Sequence, residues 1–145
     1  MNTTEEADLI HAYTRRQAIE DGEQIDVSEW ATDDGFKWPV YMTRGAFAAT
    51  ITRGGHWVPD DDPTQPDRLC LPACQDERGR AHDVFWLLRV AIRRIGTTVE
   101  VPFSVQVQCG ENCLKRERVD LLAQSGPIDI DNANGCITIM LPEEV

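Results

Sequence analysis

The hydrophobic period of this chain changes at Gly96, from that of a helix to that of a strand. Ahead of it, Ala81, Val84, Phe85, Leu88, Ala91, Ile92 and Ile95 recur at spacings of three and four. That spacing places them on one face of a helix. Trp86, Leu87 and Val90 widen the apolar surface, and Arg89, Arg93 and Arg94 sit where cations favour the negative helix end. Beyond Gly96, Val99, Val101, Phe103, Val105 and Val107 alternate with Glu100, Pro102, Ser104, Gln106 and Gln108. This is the period of a strand with one buried face. An apolar helix stripe and a half-buried strand each need a second layer to cover them. Together they predict an α+β domain in which N-terminal short helices and one long core helix, about 81–95, pack on a C-terminal antiparallel β-meander.

The meander reads on from there. Gly110-Glu111-Asn112 predicts a hairpin turn. A second strand spans about Glu117–Gln124, with Val119, Leu121 and Ala123 on one face. Asn132-Ala133-Asn134-Gly135 predicts a turn into a last strand, Cys136–Leu141. Pro102 has no N–H to donate, which argues for an edge position. With 145 residues, the chain is read as one domain over 1–145.

The N-terminal half carries helix-start signals. Thr3-x-x-Glu6 and Thr14-x-x-Gln17 read as capping boxes, the second opening a short helix to about Asp21 that stops at Gly22. Ser28 is a candidate cap for Glu29–Asp33, ended near Gly35. Thr43 is a candidate cap from Arg44, with Phe47 and Ile51 on one face and Gly54-Gly55 closing the helix. Gln24–Val27 and Pro39–Met42 read as short extended pieces. Residues 56–80 contain Pro59, Pro63, Pro66 and Pro72 and the run Asp60-Asp61-Asp62, and predict a long exposed Pro/Asp-rich loop. Loops of that length are either contact surfaces or passive insertions.

The net charge is −11, from 25 acids against 14 bases. Residues 1–72 hold 14 of the acids and only 6 of the bases. Such a chain repels phosphate backbones, which disfavours direct nucleic-acid binding, and is steered towards basic surfaces. The plainer reading is that the charge keeps the protein soluble. The segment MNTTEEADL is acidic and has no apolar core, and no apolar run approaches the roughly 18 residues of a membrane span. A cytoplasmic location, with no membrane partner, is the resulting expectation.

Four of five cysteines form two C-x3-C pairs, Cys70 with Cys74 and Cys109 with Cys113. Thiolates held by tight turns are what tetrahedral zinc requires, so these four are the candidate metal ligands. Against this, x3 spacing is less diagnostic than x2, and unliganded thiols are the simpler reading. Cys136, beside Ile137 and Ile139 in the last strand, reads as a core thiol. The histidines, His11, His56 and His82, show no H-x-x-x-H or H-E-x-x-H arrangement. His82 opens the long helix, where helix-terminal hydrogen bonding is the plain account. Asp60–Asp62 lack the spacing of a calcium loop. Phosphate-binding Gly-rich loops and G-x-S-x-G are absent from the sequence.

Several segments taken together carry a resemblance. They are Tyr13-Thr14-Arg15 with Gln17-Ala18-Ile19-Glu20-Asp21-Gly22, Asp26-Val27-Ser28-Glu29, Gly35-Phe36-Lys37 with Pro39-Val40, and Met42-Thr43. Gly79-Arg80, Asp83-Val84, Trp86 and Ile137-Thr138-Ile139-Met140-Leu141-Pro142 complete them. Over most of residues 13–142 the chain resembles a family of small proteins of unknown function encoded on bacterial plasmids, integrative elements and phages. The paired cysteines lie outside that pattern. The resemblance implies a mobile element in a bacterial host and carries no catalytic residues with it.

The leading expectation is a non-enzymatic acidic protein that binds a host protein or complex through its basic nucleic-acid-binding surface, as anti-CRISPR and anti-restriction inhibitors do. Its contact surface would comprise Glu20, Asp21, Asp33, Asp34, Asp60, Asp61 and Asp62. No cofactor is expected on this reading, and no catalytic residue is assigned. One alternative is a zinc-stabilised binding module on Cys70, Cys74, Cys109 and Cys113. The other is a small enzyme using His82 or His56 with nearby carboxylates.

Overall fold

The long helix runs over nineteen residues, Glu77–Ile95, one turn more than the apolar periodicity marks. Its added first turn is largely polar, so no hydrophobic pattern announces it. Instead the Asp76 side chain caps it, accepting from the Gly79 amide at 2.6 Å. The computed structural model describes residues 14–72, 75–96, 98–108, 116–129 and 131–144. Among them the elements are α1 (Arg15–Glu20), β1 (Gln24–Asp26), α2 (Ser28–Asp33), β2 (Val40–Thr43), α3 (Arg44–Thr50), β3 (His56–Val58), β4 (Arg68–Cys70), α4 (Glu77–Ile95), β5 (Glu100–Gln108), β6 (Arg116–Asp129) and β7 (Asn132–Met140). The fold is α+β, a mostly antiparallel sheet with a helix packed on it.

The sheet has five strands in the order β1-β2-β7-β6-β5. The expected meander is its β5-β6-β7 portion. The two extended pieces of the N-terminal half complete it: β2 joins β7 in parallel, pairing Val40 with Ile137, and β1 joins β2 antiparallel. β5 is the outer strand, the position in which Pro102 is tolerated. One face of the sheet carries Val40, Met42, Val101, Val105, Val119, Leu121, Ala123 and Ile139. These pack under Ala81, Val84, Phe85 and Leu88 of α4, with Ala31 of α2 and Ala46 of α3. Phe36 meets Phe85 edge-on at 5.7 Å between ring centroids. The opposite face buries Tyr41, Cys136, Thr138 and Met140, and α1 lies against it through Arg15.

The capping signals hold at Thr14, whose hydroxyl accepts from Gln17 while the Gln17 side chain accepts from Thr14 N–H, and at Thr43. Gly22 ends the first helix at φ +79°. Four expectations are corrected. Ser28 does not cap α2. Its hydroxyl donates to the Val40 carbonyl and accepts from the Val40 amide, tying the helix start to β2. Residues 56–80 are not one loop: they hold the antiparallel β3–β4 hairpin and the start of α4. Asn132–Gly135 belongs to β7, because Asp129 already pairs with Asn132 and the turn falls earlier. Gly135 is there for space: a Cβ on it would lie 3.1 Å from the Trp38 ring. Trp86 leaves the core stripe and is 55% exposed. The Thr3–Glu6 capping box and the Gly110–Asn112 turn lie outside the described residues.

Candidate interaction surface

Arg15, Arg78, Arg80 and Arg89 bond to backbone carbonyls or to Asp34. Arg80 is buried. Its Nε donates to Gln75 Oε1 (2.8 Å), its Nη1 to the carbonyls of Thr50 (3.2 Å), Ile51 (3.3 Å) and Arg53 (2.6 Å), and its Nη2 to the Gln108 carbonyl (2.8 Å). The carbonyls at and just beyond the end of α3 have no helical donors and carry partial negative charge, so a rigid cationic fork suits them. On the other face, the Arg15 guanidinium stacks 4.3 Å from the Tyr41 ring centroid. It donates to the Ile128 carbonyl (2.6 Å), Gln24 Oε1 (2.7 Å), Thr138 Oγ1 (3.0 Å) and Cys136 Sγ (3.4 Å). Burial, reinforced by the Asp26 charge, pushes the Tyr41 hydroxyl above its usual pKa.

Asp34 is the third such centre. It closes α2, and its side chain is only 10% exposed. Arg78 donates to both carboxylate oxygens, at 3.0 and 2.9 Å, and His82 Nδ1 lies 2.9 Å from Oδ1. Arg89 donates to the Asp34 carbonyl at 2.8 Å. The Arg78 hydrogen bonds hold the Asp34 carboxyl below the usual carboxylate range, against the opposing pull of burial. Asp34 therefore locks α2 to α4, and its charge is neutralised internally.

The other sequence-selected acids sit on three separate elements. Glu20 and Asp21 lie exposed at the end of α1, on one side of the sheet. Asp33 is exposed at the end of α2, which packs on the other side. Asp61 and Asp62 are exposed and Asp60 half-buried in the β3–β4 connection. Asp60 accepts from the Asp62 amide, and Asp62 from the amide and hydroxyl of Thr64, so local turns order the run. Those Thr64 bonds, the amide's first, draw the Asp62 carboxyl below its usual range.

Of the four candidate zinc ligands, Cys74, Cys109 and Cys113 lie outside the described residues, as does His11. Cys70 is a free, half-buried thiol at the end of β4, opposite His56 in the hairpin register. Cys136 is buried, as expected, on the sheet face opposite Ile137 and Ile139. His82 and Asp34 have the orientation of a His–carboxylate pair, beside a surface depression lined by Gln75, Asp76, Gly79, Arg80, His82 and Asp83. Arg78 occupies both Asp34 oxygens, and among the described residues the lining includes no Ser, Thr or Cys.

The family model for a family of unknown function matches residues 1–145. The chain belongs to the DUF6573 family. No curated protein and no solved structure matches it. One part of the surface of this DUF6573 protein was not legible in the sequence: Trp38, Trp57 and Trp86 are 51%, 66% and 55% exposed. Nothing in the apolar pattern separates them from the half-buried Trp30. Trp38 lines a groove of about 470 Å³ beyond the end of α4, floored by Ile92, Ala123 and Ile137 and edged by Arg93. No helix among the described residues is long and apolar enough to cross a membrane.

Proposed function

We propose that this chain is a non-enzymatic binding protein of a bacterial mobile element that places an acidic surface on the basic nucleic-acid-binding surface of a host complex, as a counter-defence inhibitor. The observation that carries the reading is the inward use of cations. Arg15, Arg80 and Arg89 donate to backbone carbonyls, and Arg78 is held by Asp34. Arg15, Arg80 and Arg89 thus spend their donors on internal acceptors, the Arg78–Asp34 pair cancels one charge of each sign, and the acidic excess of the chain is steered to basic partners. Glu20, Asp21, Asp33, Asp61 and Asp62 are exposed to take part, with Asp60 behind them. Asp34 takes no part in the contact on this reading, because Arg78 already neutralises it.

The test is capture of partners from a bacterial lysate on the tagged chain, eluted across a salt gradient, beside an Asp60→Asn/Asp61→Asn/Asp62→Asn variant. One nucleic-acid-handling complex, released by moderate salt and retained more weakly by the variant, is expected. Identical retention and identical salt dependence for both proteins would sink the loop's role in this mechanism.

A further inference from the structure

The groove beyond α4 exists because the sheet outruns the helix. α4 ends at Gly96, while β6 and β7 continue past it as Ala123, Ser125 and Ile137. The groove is open, of about 470 Å³, not an enclosed cavity, and can receive a side chain that projects from a partner surface. The floor is apolar and Trp38 forms a wall. Arg93 lines it, and Arg94 and Lys37 adjoin lining residues in the chain. All three cations are exposed and have no hydrogen-bond or ion-pair partner among the described residues. Near this end of the molecule Ile95 and Val99 are exposed as well. Aromatic residues and arginines around a desolvated pocket are the composition of an interface centre.

The same chain carries the complementary chemistry. The β3–β4 hairpin holds the most exposed of the tryptophans, Trp57, and leads directly into Asp60-Asp61-Asp62. Every residue from 61 to 68 is exposed, so the hairpin connection is accessible to a partner. We propose that the hairpin of one copy docks in the groove of a second. The Trp57 indole lies against Ile92 and Trp38, and Asp61 and Asp62 face Arg93 and Arg94. A two-fold pairing of groove on groove would instead set Arg93 and Arg94 against themselves, which charge repulsion opposes. Hairpin therefore meets groove, in a reciprocal two-fold pair or head-to-tail. Chains of charge −11 repel one another, but that repulsion is screened beyond about 8 Å in 0.15 M salt, leaving the local complementarity to decide.

Sedimentation velocity on the purified full chain tests this, independently of any host partner. Wild type is expected to gain weight-average mass as concentration rises through the micromolar range. Arg93→Glu/Arg94→Glu and Asp61→Arg/Asp62→Arg are each expected to stay monomeric, and an equimolar mixture of the two to associate again. Trp57→Ala, which leaves the charges unchanged, is expected to weaken association at least tenfold. Circular dichroism melts matching wild type establish that each variant is folded. A wild-type chain that remains monomeric throughout overturns the proposal and leaves the groove to an acidic segment of another protein. Swapped variants that associate as wild type does, or a mixture that fails to associate, overturn it equally.

Discussion

Replacing Arg80 by Met tests whether one guanidinium holds α3, α4 and β5 together. Methionine keeps most of the apolar stem and removes the donors. Four backbone carbonyls, those of Thr50, Ile51, Arg53 and Gln108, and the Gln75 side chain then lose the bonds described above. A buried acceptor without its donor costs about 1–3 kcal/mol. Two of the bonds, at 3.2 and 3.3 Å, are long, and a cavity of about 30 Å³ beside Arg80 has room for a water that would restore part of the loss. A net destabilisation of about 3–4 kcal/mol follows. For a domain of this size that corresponds to a fall of roughly 8–14 °C in Tm. Thermal and urea unfolding at pH 7, followed by circular dichroism, measure it. Arg80→Lys keeps the charge but not the fork, and is expected to recover about half of the loss. A Met variant within about 1 kcal/mol of wild type would refute the reasoning, because it would mean these carbonyls do not depend on the guanidinium.

The Asp34 carboxyl lies below its ordinary range in the folded chain, chiefly through the Arg78 hydrogen bonds. Its stabilisation is therefore complete above the unfolded carboxyl pKa, about 4, and is lost as pH falls through the lower folded value. Arg78 is 37% exposed, so solvent screening limits the cost of Asp34→Asn to about 1–2 kcal/mol at pH 7. Urea titrations should show the gap from wild type shrinking below about pH 4, and a gap constant down to pH 3 contradicts this account. Gly135→Ala brings a Cβ within 3.1–3.2 Å of the Trp38 ring, and is expected to displace it and shift the tryptophan emission. An emission spectrum identical to wild type argues against that packing. Thr14→Ala removes a side-chain cap and is expected to cost about 1 kcal/mol in urea unfolding. A Gln17→Ala variant should lose a smaller amount, since it removes only the reciprocal bond.

Elements whose signals are local can be read from the residues alone. The apolar stripe of α4 and the alternation in β5 and β6 announce themselves because burial on one face imposes a period on the residues. The Thr14 and Thr43 caps are legible because the hydroxyl meets an amide only three residues away. The first turn of α4 was hidden because its residues are polar, and Ser28 misled because its hydroxyl found the more distant Val40. Where residues far apart in the chain meet follows from the packing of the layers. The parallel pairing of β2 with β7, the Arg15 bond to Thr138, the Arg80 bonds to backbone carbonyls, and the neutralisation of Asp34 by Arg78 all join residues 27 to 123 apart. The charge of an arginine is readable in a sequence, but its direction depends on which unpaired carbonyls the fold brings within reach. For the same reason the exposure of Trp38 and Trp57, and the groove left where the sheet outruns α4, emerged only once the layers were in place.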